Sequence, residues 1–203
     1  MRKVLKRIGF VALLAALVWT GALLADRQRL SRDLVRLHVV AASDSADAQE
    51  QKLMVRDAVL ESLRQGLADL TDVEQAKEYI RQHLPELERI ANEVLSSAGS
   101  GDRAAVSLTE EAFPTREYDT FSLPAGIYES LRIVIGEGEG HNWWCVVFPE
   151  LCLPATVEGF EDAAEAGGFP DSLTGALSGE DGYQIRFFFL DLLGKVENFF
   201  HGG

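Results

Sequence analysis

His141, Asn142 and Cys145 lie within five residues of one another in GEGEGHNWWCVVF, and these are the residue types of a thiol hydrolase. Such an enzyme needs its base within hydrogen-bond reach of the thiol. Along an extended strand, four residues at about 3.3 Å each separate His141 from Cys145 by roughly 13 Å, so they meet only if the chain bends between them. His38, in LVRLHVV, is the other candidate base. Cys145 has a second possible chemistry, a disulfide with Cys152 across a turn at Pro149, and two free thiols are the alternative. Arg56 beside Asp57 reads as a locally paired couple rather than an acid–base dyad. Gly136, Gly138 and Gly140 suggest a phosphate loop, but Glu137 and Glu139 stand between them and no helix start follows, which favours a tight acidic turn. The four histidines are scattered and no CxxC or HxxxH spacing occurs, so neither a metal nor a cofactor is expected. Trp143 and Trp144, adjacent on a strand, point to opposite faces: one belongs to the core and the other is free to dock a partner.

The elements that position these residues follow from periodicity. Leu34 to Val40 is apolar on both faces and predicts a largely buried strand that carries His38. Asp47 followed by Glu50 resembles a capping box, and Val55, Val59 and Leu63 recur every four residues, which predicts a helix to about Gly66 carrying Arg56 and Asp57. Thr71-Asp72-Val73-Glu74 is a cleaner box opening a second helix, with Pro85 expected to kink or restart it. After the flexible SSAGSGD come strands over Ala104 to Phe113 and Tyr128 to Gly136. A third, Trp143 to Phe148, is expected at the centre of the sheet, joined to the second in an antiparallel hairpin through GEGEGHN. Pro154 to Asp181 holds seven acidic and no basic residues and reads as a loop or short helix. Ile185 to Phe200 then predicts a helix closing over the sheet. The fold class expected is α+β, an antiparallel sheet with helices packed on it, in one domain over residues 34–200.

Residues 1–25 are different. Arg2, Lys3, Lys6 and Arg7 precede eighteen uncharged residues, Ile8 to Ala25, which as a helix span roughly 27 Å. The pattern is that of a signal peptide or signal anchor, and the weak small-residue cleavage site favours a retained anchor. Arg27, Arg29, Arg32 and Arg36 balance the basic residues in front, but the basic segment leading straight into an apolar run is what export machinery reads, which places the remainder outside the cytoplasm. Of 203 residues, 19 are basic and 32 acidic, and all the acidic ones lie beyond residue 25, giving the exported part 15 basic against 32 acidic residues, or −17. Its field repels phosphates, so nucleic acid is not expected as a ligand.

Four segments also carry a resemblance. LVRLHVVAASDSADAQEQKLMVRDAVL, FPTREY, LPAGIYESLRIVIGEGEGHNWWCVVFPELCL and IRFFFLDLLG are similar, in order and spacing, to the stage II sporulation protein R family. The family pattern runs close to LHVIANSDS, KxxVRDxV, FPTxxY and LPAGxYxALRVxIGxGxGxNWWCVxFPPLC. The NWWC block with its glycine-rich lead-in is the most specific part. Ala42 stands where the family commonly has Asn, and Glu150 where it commonly has a second Pro. The resemblance implies a signalling protein of endospore formers, exported from the forespore to the intermembrane space or anchored with its domain outside the cytoplasm. There it activates the membrane-embedded aspartic protease that processes pro-sigma-E, coupling forespore to mother-cell gene expression. The matching positions are His38, Ser43, Asp44, Val55, Arg56, Asp57, Asn142, Trp143, Trp144, Cys145 and Cys152. No catalytic role comes with them. The competing reading is a cell-envelope cysteine hydrolase using Cys145.

Of these positions, Ser43, Asp44, Asn142, Trp143 and Trp144 are the expected partner contacts, because the polar turn after the first strand and the glycine-rich link suit one end of the sheet. His38, Arg56 and Asp57 are structural or functional candidates.

Overall fold

A strand that is buried on both sides must be covered on both faces, and the whole architecture is arranged to do this. The computed structural model describes residues 2–149, 164 and 169–201, apart from residues 69, 119 and 181. The chain order is α1 (Arg2–Asp33), β1 (Val35–Val40), α2 (Ala46–Leu67), α3 (Val73–Ser97), β2 (Ala104–Phe113), β3 (Arg116–Glu117), β4 (Ser122–Leu123), β5 (Gly126–Ile135), β6 (Asn142–Phe148), α4 (Asp171–Ser178) and α5 (Gln184–His201). All six residues of β1 are buried. Val35, Leu37 and Val39 face a core completed by Val55, Val59 and Leu63 of α2 and by Ile80, Leu87 and Leu95 of α3. On the other face, Leu23 and Leu30 of α1, Leu173 and Leu177 of α4, and Leu190 of α5 pack with Phe113, Tyr128 and Val146. The fold is α+β, with helices on both faces of the main sheet.

That sheet has the order β2-β5-β1-β6, and β3 and β4 form a separate pair. β1 runs parallel to β5 and antiparallel to β6, while β2 is antiparallel to β5. Two of the three pairings are thus antiparallel as expected, but β5 and β6 do not form the expected hairpin: β1 lies between them. For the same reason β6 is an edge strand and not the central one. The strand that is buried along its whole length takes an interior position, and the link 136–141 arches over its end instead of turning tightly.

Glycine makes the arch possible. Gly136 and Gly138 have φ of 58° and 68°, which is the left-handed region that favours glycine. The Gly140 amide donates to the Ala41 carbonyl at 2.9 Å, so closely that a Cβ on Gly140 would stand 2.2 Å from the Ser43 carbonyl oxygen.

Two helix expectations also change. Ser45, not Asp47, caps α2, its hydroxyl accepting from the Ala48 amide at 3.2 Å. This leaves Asp47 inside the first turn, where its charge suits the helix dipole. Asp72 caps α3 as expected, accepting from the Gln75 amide at 2.9 Å. Pro85 does not interrupt α3, which is continuous from Val73 to Ser97. Proline removes one backbone hydrogen bond, but Ile80 before it and Leu87, Ala91 and Leu95 after it are all buried in one core, and that packing holds both halves in register.

α1 is long and apolar enough to cross a membrane. The boundary expected at Ala25 falls inside this continuous helix, whose Leu23, Asp26, Arg27 and Leu30 are buried against the domain. Of the acidic stretch Pro154 to Asp181, residues 154–163, 165–168 and 181 lie outside the described residues; α4 occupies part of the remainder.

The arch gives a direct test. Gly140→Ala should destabilise the fold by about 1–3 kcal/mol, because backbone atoms must move to admit the methyl. Gly101→Ala, where a Cβ meets nothing within 4 Å, should stay within about 0.5 kcal/mol of the parent in urea unfolding.

Candidate functional site: a loop junction over the end of β1

The turn that leaves β1 and the arch that enters β6 meet above the end of β1. Asp44 accepts from the His141 backbone amide at 2.6 Å and pairs with the His141 ring. The amide bond, opposed by desolvation and helped by the imidazole, holds the Asp44 carboxyl below its ordinary range. α2 ties the two loops from beneath. Gln49 Nε2 donates to the Ser43 carbonyl at 2.9 Å, and Lys52 Nζ donates to Gln49 Oε1 at 2.7 Å and to the His141 carbonyl at 3.1 Å. Burial and the neighbouring charge of Arg56 pull the Lys52 ammonium below its ordinary value, with Asp44 opposing. Ser43, Asp44, His141 and Asn142 remain exposed, so the junction is a polar surface with a fixed shape.

Asn142 links this surface to a buried pair. Its side-chain oxygen lies 3.0 Å from His38 Nε2, while His38 Nδ1 lies 3.1 Å from the Glu111 carboxylate. The His38 ring stacks on Trp144, centroids 3.7 Å apart. Glu111 also meets Arg132 at 3.2 Å. Burial by itself would raise the Glu111 carboxyl, but hydrogen bonding from His38 and the charges of His38 and Arg132 outweigh it and hold the group below its ordinary value.

Strand alternation separates the candidates that the thiol chemistry required together. In the β1–β6 register Leu37 is opposite Cys145 and His38 opposite Trp144. Cys145 therefore shares the α2/α3 face with Leu37, whereas His38 lies on the other face among Phe113 and Trp144. Cys145 is buried and is not a free thiol; Cys152 lies outside the described residues. His141, the other candidate base, is exposed and engaged with Asp44. The geometry thus provides Cys145 with neither expected base.

Trp143 and Trp144 do lie on opposite faces, both half-buried, one packed against each core. Arg56 lies over the Trp143 ring at 4.2 Å and pairs with Asp57 at 2.6 Å. The couple is local, and its arginine covers an edge-strand tryptophan. Sequence reasoning missed Glu111, Gln49 and Lys52. Lys52 had a signal, as the lysine of KLMVRD, while Glu111 had none, because its partner lies 73 positions away.

The buried pair predicts a pH effect. A carboxylate whose folded pKa is depressed stabilises the fold above its unfolded pKa, and that contribution is lost as pH falls through the folded value. Thermal stability should therefore drop as pH falls below the ordinary glutamate value of 4.5. Glu111→Gln should flatten that part of the profile and cost about 1–3 kcal/mol at pH 7, since it leaves His38 without its anion.

Comparison with known proteins covers this same region. The sequence model described as "Stage II sporulation protein R (spore_II_R)" matches residues 31–158, more than half of the chain. The stage II sporulation protein R of Bacillus subtilis (strain 168) is 41% identical over 119 residues, 59% of this chain and 53% of that protein. The chain thus spans about half the length of this curated relative. No solved structure matches. The matched stretch contains β1, α2, α3, β2, β5, β6 and both loops of the junction, and the chain belongs to the stage II sporulation protein R family.

Proposed function

We propose that this chain is an extracytoplasmic sporulation signal that activates the membrane-embedded aspartic protease processing pro-sigma-E, and that it does so by binding rather than by catalysis. The observation that carries the reading is the loop junction: two segments about 97 positions apart are joined into one exposed surface by the Asp44–His141 contacts. A preformed polar surface is what recognition requires, since little ordering entropy is lost on docking. To activate, it must bind the active state of the protease more tightly than the inactive state. The separation of Cys145 from His38 by the sheet, and from His141 by the contact with Asp44, weighs against the envelope hydrolase.

The fold also suits delivery across a gap between membranes. α1 carries the export signal and is retained as an anchor in this reading, because a cut at Ala25 would fall beside Asp26 and Arg27, which pair with Arg186 and Glu197 of α5. α1 leads into the first residue of β1, and the junction lies past the last. The anchor and the signalling surface therefore occupy opposite ends of the parallel strands β1 and β5, the latter ten residues or roughly 30 Å long. A domain held in the forespore membrane by one end presents the other to a protease in the facing membrane.

Co-expression with the protease and the sigma precursor in a non-sporulating host tests the proposal. The wild-type chain should trigger precursor cleavage, and a chain lacking residues 2–25 should not until a foreign signal peptide is supplied. Asp44→Ala with Asn142→Ala should lower cleavage by about tenfold or more, the effect of losing ~1.4 kcal/mol of contact energy, while the domain stays folded. Full cleavage by that folded double variant would rule out the junction as the activating surface.

A further inference from the structure

Helix α5 has two faces of opposite character. Leu190, Asp191 and Gly194 are buried. The Asp191 carboxylate accepts from the Ala125 amide at 2.8 Å and from the Thr115 hydroxyl, and Asn198 donates to the Phe113 carbonyl at 2.8 Å. Gly194 sits so close to the strand that a Cβ there would be 1.6 Å from the Ala125 carbonyl oxygen. On the far side, Ile185, Phe188, Leu192, Val196, Phe199 and Phe200 are 44–78% exposed. At about 100° per residue, these six fall within an arc of roughly 120°. Among the described residues, large hydrophobic side chains this exposed occur on α1, on α5 and otherwise only at Met54. A stripe of this kind marks an interaction surface.

Its neighbour says which surface it meets. Phe189, within the same arc, packs edge-on against Trp19 of α1 at 5.0 Å, and Phe188 packs on Phe189 at 5.4 Å. Trp19 belongs to the apolar run of α1, beside the exposed Leu17 and Val18. Burial against the domain begins at Leu23, one turn or roughly 6 Å further along the helix. The apolar stripe of α5 is therefore continuous with the apolar surface of α1 at the level where α1 enters the domain. Tryptophan favours that depth, the boundary between acyl chains and headgroups.

We infer that α5 is a second membrane-contacting element, an amphipathic helix whose exposed face embeds in the interface of the bilayer that α1 spans. The inference rests on the reading of α1 as a retained anchor, and adds that the domain is fixed on the membrane at two points and does not swing from a single tether. Charge does not drive this contact: the part of the chain beyond residue 25 carries −17, which opposes anionic headgroups. The attraction is apolar, so it holds on zwitterionic lipid and is indifferent to salt.

The test uses the full chain in phosphatidylcholine nanodiscs doped with a diazirine-bearing phosphatidylcholine, with lipid adducts mapped by mass spectrometry after illumination. Adducts are expected on α1 and also on peptides from 184–201, and the latter should persist in about 0.5 M salt, where surface charge is screened. A variant carrying Phe188→Ser, Leu192→Ser, Phe199→Ser and Phe200→Ser should lose the α5 adducts to background while keeping those on α1. These positions are exposed, so hydrogen-exchange protection of β1 and β5 should be unchanged. Adducts on α1 alone would overturn the inference and leave the anchor standing. Adducts on neither helix would remove the anchor reading and this inference with it.

Discussion

The burial of β1 on both faces is the constraint from which the rest of the structure follows. Its odd positions, Val35, Leu37 and Val39, are apolar, but its even positions include Arg36 and His38, which turn toward the α1/α5 side. A charged guanidinium in a core requires compensation. Arg36 is fully buried; it donates to the Tyr118 hydroxyl at 2.9 Å and the Cys145 carbonyl at 3.3 Å, and it lies over the rings of Phe113 at 4.2 Å and Tyr128 at 5.0 Å. Those partners come from β2, β5, β6 and the segment beside β3, so compensating one side chain fixes the neighbours of β1 on both sides. His38, two residues on, repeats the pattern at the end of the strand with Glu111, Asn142 and Trp144. In this way the junction above is held in place by side chains that also stabilise the strand below.

The opposite end of the sheet is closed by a different device, close approach reinforced by charge. Arg27 of α1 crosses the backbone of Gly126 so tightly that a Cβ would stand 1.5 Å from its guanidinium, and it donates to the Tyr128 hydroxyl at 3.4 Å and pairs with Glu197. Asp26 next to it is buried and pairs with Arg186. Because Asp26 is buried, removing Arg186 would leave its charge uncompensated, and this contact, with the Arg27–Glu197 pair beside it, fixes the relation of α1 to α5 in addition to apolar packing. The apolar N-terminal helix is consequently not merely attached to the domain: its last turns are part of the second core.

Local rules made much of this legible. The strand at Leu34 to Val40, the start of α3 at Asp72, the strand at Ala104 to Phe113 and the closing helix at Ile185 to Phe200 each rest on a periodicity or a cap contained within a few residues. The structure gives them as Val35–Val40, Val73–Ser97, Ala104–Phe113 and Gln184–His201. The family, too, was written locally, in the NWWC block and the segments around it. The errors arose where a distant segment decided. GEGEGHN looks like a hairpin turn until β1 claims the place between β5 and β6, and Pro85 looks like a break until a core on both sides of it holds the helix together.

The sequence alone determined that the chain has an apolar N-terminal helix, an acidic α+β domain and the residue pattern of its family, because charge, periodicity and motif are properties of neighbours along the chain. Only the tertiary structure decided that His38 and Cys145 lie on opposite faces of the sheet, that Asp44 meets His141, that Glu111 partners His38, and that Asp26 and Arg27 bind the far helix. Each of these depends on strand order and register, which side chains separated by about 70 to 170 positions establish together. No local stretch of sequence contains that information, because a one-place change in register would turn every side chain of β1 to the other face.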